Sequence, residues 1–143
     1  AVKEDFDALY KLGKRTPELS VMANGEFMEE DEFLNAIETP SGVFLLAESE
    51  GVVSGFIYTN RLDPDRPLKT RWACLVYLAV DPAFRRQGIA QELYNACVAI
   101  LKEQGVNHLY GWANIESDGS IVRFLEREGF APGHKYMWMD KKL

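Results

Sequence analysis

Between Val80 and Ala90 the chain reads VDPAFRRQGIA. Two arginines, Arg85 and Arg86, stand beside the amide of Gln87 and a glycine, Gly88. These residue types suit an anion. Arginine offers planar, permanently charged donors that match phosphate oxygens. Glycine has no Cβ, so a bulky anion can approach its backbone closely. Where a helix begins, the first N–H groups lack intrahelical acceptors and the helix dipole adds partial positive charge. A helix starting near Gly88 would complete a cradle for a diphosphate. The competing reading is a solvated basic turn between a strand and a helix. The stretch is not a Walker phosphate loop, since GxxxxGK[ST] is missing, and it lacks the three glycines of a dinucleotide fingerprint.

Other residues invite chemistry with less support. Glu29, Glu30, Asp31 and Glu32 form an acidic cluster that reads either as a solvated helix face or as an attractor for a protonated amine. Cys74 and Cys97 sit in apolar runs, without a CxxC pair or a nearby soft ligand, so they read as buried reduced thiols and no metal site is expected. His108 and His134 are far apart in sequence. Trp72, Trp112 and Trp138 read as core aromatics. Trp72 is the exception, because it opens a strand beside a polar loop and can stack on a substrate.

Hydrophobic periodicity supplies the elements that position these groups. Helical spacing covers Glu4 to Leu12 and Phe27 to Ile37. Val43 to Glu48 and Val52 to Thr59 read as a hairpin around Ser49-Glu50-Gly51, and Leu62 to Thr70 as an exposed loop. Trp72 to Val80, WACLVYLAV, is apolar on both sides, which predicts a central strand covered on both faces. A helix follows from Gly88, with Ile89, Leu93, Ala96, Cys97, Ile100 and Leu101 inward and Gly105 as its stop. His108 to Ala113 reads as a strand. A helix capped by Ser117 or Asp118 comes next, with Ile121, Phe124 and Leu125 inward, and Tyr136 to Met139 as a last strand. The order α, α, β, β, β, α, β, α, β predicts an α/β protein with a mixed sheet and helices on its faces.

At 143 residues with 47% hydrophobic content, a single domain over 1–143 is expected. The net charge of -6 argues against nucleic-acid or anionic-membrane partners and favours a cationic or amine partner. No apolar run reaches the roughly 18 residues of a membrane span. With no signal-peptide pattern at its start, the chain reads as cytoplasmic.

RRQGIA fits the pattern [RQ]-x-x-G-x-[GA]. On this motif, on the longer stretch LAVDPAFRRQGIAQELYNACVAIL, and on SIVRFLEREGF with its Gly129-Phe130, the chain resembles the GNAT superfamily of acetyl-CoA-dependent N-acetyltransferases. The likeness runs from about Asp5 onward, and the family's first strand is mostly missing. It implies a mostly antiparallel central sheet with one splayed parallel pair and helices on both faces. It implies acetyl-CoA as cosubstrate, its diphosphate held by backbone N–H groups of Arg86, Gln87, Gly88, Ile89 and Ala90, with Arg85 beside them. The pantetheine arm would pair with the backbone of Leu78 and Val80, and Asn114 would reach its amides. The Leu78 N–H would polarise the thioester carbonyl and hold the oxyanion.

The sequence departs from the family at the proton carriers. The position of the family's acidic tyrosine holds Leu125, that of its glutamate base holds Cys74, and that of its asparagine at the last helix holds Asp118. Tyr77 and Tyr136 are the substitute candidates for acid or relay, while Glu29, Glu30 and Trp72 are candidates for the acceptor. The expected reaction is direct acetyl transfer to a primary amine of a small molecule. A protein-amine acetyltransferase and a non-catalytic CoA-binding module are the alternatives. A homodimer fits the resemblance.

Overall fold

The computed structural model describes residues 1–20, 27–61, 71–116, 118–135, 137, 139 and 141. After a 3-10 turn at Lys3–Asp5, helix α1 covers Phe6–Lys14. Its buried residues Leu9, Leu12 and Gly13 share one face, as helical spacing requires. Helix α2 covers Glu30–Glu38, later than the expected start at Phe27. Phe27 instead precedes the helix and is buried, with its ring 5.4 Å from Phe33 and 5.3 Å from Tyr77. Aromatic packing, not helical periodicity, explains its apolar character.

Among the described residues, four strands form one sheet in the order β1-β2-β3-β4: β1 (Gly42–Ser49), β2 (Val52–Asn60), β3 (Trp72–Val80) and β4 (His108–Gly111). β2 is antiparallel to both β1 and β3, and β3 pairs with β4 in parallel. The mixed sheet and the interior position of β3 agree with the sequence reading. One face carries α1 and α2, around Leu9, Phe33, Phe56 and Tyr77. The other carries helices α3 (Ile89–Glu103) and α4 (Ser120–Arg127), around Ile57, Leu93, Cys97 and Phe124.

Helix α3 buries Ile89, Leu93, Cys97 and Leu101, one residue per turn. Ala96, expected inward, is exposed. Gly55 on β2 lets this helix lie close to the sheet. A Cβ at Gly55 would fall 2.8 Å from the Ala79 carbonyl oxygen, 3.1 Å from Ile89 Cγ2 and 3.2 Å from Leu93 Cδ1. The start of α3 is thereby set against the last residues of β3.

The strand β4 stops at Gly111, two residues before its expected end. Asp118 supports the start of α4, its carboxylate accepting the Ser120 N–H at 2.8 Å, while Gly119 occupies the N-cap position. Ser117 and the loop Leu62 to Thr70 lie outside the described residues, as do Tyr136 and Trp138 of the expected last strand. Met137 and Met139, the described members of that segment, carry no strand and are exposed.

Candidate active site

The sheet opens at one point, where two irregularities coincide. Along β2 and β3 the register runs Asn60 with Cys74 and Thr59 with Leu75, then jumps to Tyr58 with Tyr77. Val76 is the extra residue of a β-bulge. Val76 and Tyr77 accordingly both pack toward the α1–α2 face, while Leu75 and Leu78 pack toward α3 and α4. The parallel pairing of β3 with β4 covers only Trp72 to Leu75 against His108 to Gly111. Past the bulge, residues 76 to 80 of β3 run on without β4 beside them. A strand edge that loses its neighbour presents N–H and C=O groups that an extended ligand can pair with.

The opened edge leads into the arginine-rich stretch. Asp81 follows β3, and its N–H donates to the Ser54 carbonyl at 2.9 Å. Its carboxylate accepts the Ala83 N–H at 2.9 Å and pairs with Arg15, which lies just past α1. A 3-10 turn at Pro82–Phe84 comes next. Arg86 has φ +64°, a left-handed conformation that costs a non-glycine residue about 1 kcal/mol or more. Gly88 is also left-handed, at φ +84°, where glycine pays no such penalty. Backbone strain of this kind gathers at ligand clamps.

Gly88 is the N-cap of α3, and among the described residues no side chain caps that end. The first intrahelical bond runs from the Glu92 N–H to the Gly88 carbonyl, at 3.0 Å. The N–H groups of Ile89, Ala90 and Gln91 therefore precede the helical ladder. They point the positive end of a helix of 15 residues at whatever sits above the loop.

A cleft of about 590 Å³ lies there, within the usual range for small-molecule sites. Leu78, Ala79 and Val80 of β3 line it, as do Arg85, Arg86, Gly88, Ile89, Ala90 and Gln91 of the loop and α3. The remaining walls come from Thr16, Glu18 and Leu19 after α1, and from Asp118, Ser120, Ile121, Arg123 and Arg127 at α4. Its lining carries four arginines against two carboxylates on a chain of net charge -6. The cleft thus concentrates positive potential where the rest of the molecule is acidic.

Charged groups hold the loop in place. Glu18 takes Arg85 through both oxygens, and Arg85 Nε donates to the Val80 carbonyl at 3.2 Å. Hydrogen bonds from Ser120, and then the charges of Arg123 and Arg85, hold the Asp118 carboxyl below its usual range.

The structure gathers Leu78, Val80, Arg85, Arg86, Gly88, Ile89 and Ala90 around this cleft. Gln87 lies in the same loop, exposed. Asn114 follows β4, and its side-chain oxygen accepts the Glu116 N–H at 2.9 Å. Trp72 stands at the far end of β3, its ring 3.8 Å from that of His108. Glu30 borders a shallow depression beside Phe6, Tyr10 and Lys14, and Glu29 is exposed at the start of α2. Tyr77 is buried on the α1–α2 face. Burial first, then the charge of Glu32 and the neighbouring Tyr58, push its phenol up to about 12. Tyr136 lies outside the described residues. Leu125 is buried in the core cluster beneath α4.

Sequence reading missed Thr16, Glu18 and Leu19, because nothing local in RTPEL marks a wall of a cleft built some 60 residues later. Arg123 and Arg127 did leave a signal, their i, i+4 spacing in SIVRFLER.

The profile of the acetyltransferase (GNAT) family matches residues 6–130. Solved structures agree in fold. An aminoglycoside acetyltransferase from an uncultured soil metagenomic sample, in complex with sisomicin, superposes with a TM-score of 0.75 at 18% identity, covering 100% of this chain and 93% of that one. An aminoglycoside antibiotic 6'-N-acetyltransferase from Acinetobacter haemolyticus gives 0.72 at 18% identity, over 100% and 96%. The ribosomal-protein-S18-alanine N-acetyltransferase from Escherichia coli gives 0.69 at 22% identity, over 92% and 74%. No curated protein sequence matches the chain.

Proposed function

Because the chain belongs to the GNAT acetyltransferase family, we propose that it transfers an acetyl group from acetyl-CoA to a primary amine of a small molecule. The observation that carries this reading is the opening of β3. Beyond the bulge at Val76 and the end of pairing at Leu75, Leu78 to Val80 share one cleft with the start of α3. An extended arm fits along the freed strand and a diphosphate fits the helix start.

Acetyl-CoA supplies the activated acyl group. The backbone N–H groups from Arg86 to Ala90 hold its diphosphate, and the backbone of Leu78 and Val80 lines the pantetheine arm. The Leu78 N–H donates to the carbonyl oxygen as negative charge develops there, a stabilisation that needs no proton transfer. The amine attacks in its neutral form with its nitrogen lone pair. The C–N bond forms, the C–S bond breaks, the sulfur leaves as thiolate and water accepts the proton shed by nitrogen. Binding and orientation then carry most of the acceleration. Tyr77 is left out of this route because its side chain is buried on the α1–α2 face and does not line the cleft.

Two of the structural neighbours bear the names of enzymes acting on aminoglycosides, which are small amines. The acidic start of α2, Glu30 to Glu32, suits a cationic acceptor of that general kind. Release of the CoA thiol from acetyl-CoA, followed across a panel of primary amines, tests the reading. Turnover with a small amine supports it, and turnover confined to peptide amines moves the acceptor to protein. A second reading, CoA binding without catalysis, draws on Leu125, which fills the family's tyrosine position from inside the core. Binding without turnover of any amine would select it.

A further inference from the structure

The cleft holds more positive charge than its loop requires. The backbone cradle at the start of α3 suffices for a diphosphate, and Arg85 is already paired with Glu18. Yet Arg123 and Arg127 line the same cleft from α4. Four residues apart, they share one face of that helix. Both are exposed, and neighbouring groups steady each of them. Arg123 Nη1 donates to the Asp118 carbonyl at 3.1 Å. The Arg127 guanidinium lies 5.4 Å from the centre of the Phe124 ring, with its Nε 3.8 Å from a Glu128 oxygen. A guanidinium has five N–H donors, so each keeps most of its donors for a ligand.

Two steadied guanidinium groups on one helix face make a site for a phosphate monoester. Such a group carries close to two negative charges at neutral pH. On a chain of net charge -6 it would be repelled almost anywhere else. Coenzyme A carries one monoester, on the 3′-oxygen of its ribose, besides its diphosphate. Resting on the reading that this cleft binds acetyl-CoA, we propose that Arg123 and Arg127 take the 3′-phosphate. They thereby make the protein selective for the 3′-phosphorylated coenzyme.

Calorimetric titration with CoA and with 3′-dephospho-CoA tests this. The intact protein is expected to bind CoA about tenfold more tightly, the scale of a charge-assisted pair of contacts. In the Arg123→Gln/Arg127→Gln double variant the preference for CoA over 3′-dephospho-CoA should vanish, while 3′-dephospho-CoA still binds and so reports an intact fold. The Arg123→Lys/Arg127→Lys variant should keep part of the preference. Equal binding of the two ligands by the intact protein overturns the inference and leaves the acetyl-CoA reading standing. So does an equal loss of both ligands in the glutamine variant. Failure to bind either ligand removes the acetyl-CoA reading itself and this inference with it.

Discussion

Glu18 grips Arg85 through both carboxylate oxygens, at 3.2 and 3.4 Å. The pair ties the segment after α1 to the loop that ends β3, so one wall of the cleft is bonded to its floor. It also leaves a carboxylate facing the space a diphosphate would fill. Glu18→Gln is predicted to tighten acetyl-CoA binding about threefold at low salt, with the gain shrinking as salt is added. Calorimetry at two salt concentrations measures it. Weaker binding in the variant would mean that Glu18 serves the site by holding Arg85.

Asp81 links the other end of the same loop. Its carboxylate caps Ala83 and meets Arg15 while largely buried. Asp81→Ala removes the cap and the ion pair together and is predicted to cost about 1–3 kcal/mol in denaturant unfolding. Asp81→Asn keeps an acceptor for the Ala83 N–H and should lose clearly less. Equal losses would show that the charge pair with Arg15, not the cap, holds the loop.

Gly55 sets the distance between α3 and the sheet. A methyl group there meets the Ala79 carbonyl oxygen at 2.8 Å, a backbone atom that cannot step aside cheaply. Gly55→Ala is predicted to destabilise the fold by about 1–3 kcal/mol, the usual cost of overpacking. Because the same methyl presses on Ile89 and Leu93, it should also weaken acetyl-CoA binding by displacing the start of α3. Unchanged binding would show that the helix start does not contribute to the cleft.

Tyr77 gives a pH dependence. Its phenol lies near 10 when unfolded and is raised to about 12 in the fold. The folded state therefore holds this proton more tightly. That advantage is complete below pH 10 and is lost as pH climbs from 10 to about 12, a loss of about 3 kcal/mol at most. Tyr77→Phe should flatten the fall in stability across that window, read by unfolding at successive pH values. The same variant should keep its acetyl-transfer rate at pH 8. A large drop in that rate would give the phenol a catalytic duty.

Much of this was legible in the sequence, for identifiable reasons. WACLVYLAV could only be an interior strand, since residues on both its sides are apolar. RRQGIA showed its place at a strand-to-helix turn. The register jump at Val76 was not legible from the residues, because a bulge depends on which neighbour each residue faces, and no local pattern in LVY encodes it. The wall from Thr16 to Leu19 was hidden for the same reason. Its place is set by the ion pair of Glu18 with Arg85 and, beside it, that of Arg15 with Asp81, over 60 positions away. The stacking of Trp72 on His108, at the far end of β3 from the arginine loop, was hidden in the same way, because it joins two strands distant in sequence.

If the loop around Gly88 holds the diphosphate of acetyl-CoA, substitutions at Gly88 must change the binding of that ligand. Calorimetric titration with acetyl-CoA tests it most directly, run on the intact protein, Gly88→Ala and Gly88→Glu. No heavy atom lies within 4 Å of a Cβ at this position, so alanine brings only the backbone strain of φ +84°. That strain costs about 1 kcal/mol of stability. Glutamate brings the same strain together with bulk and a negative charge aimed into the cleft. Micromolar binding by the intact protein is expected, most of it retained in Gly88→Ala and lost in Gly88→Glu. Binding that survives in Gly88→Glu would contradict it, as would an intact protein that does not bind acetyl-CoA at all.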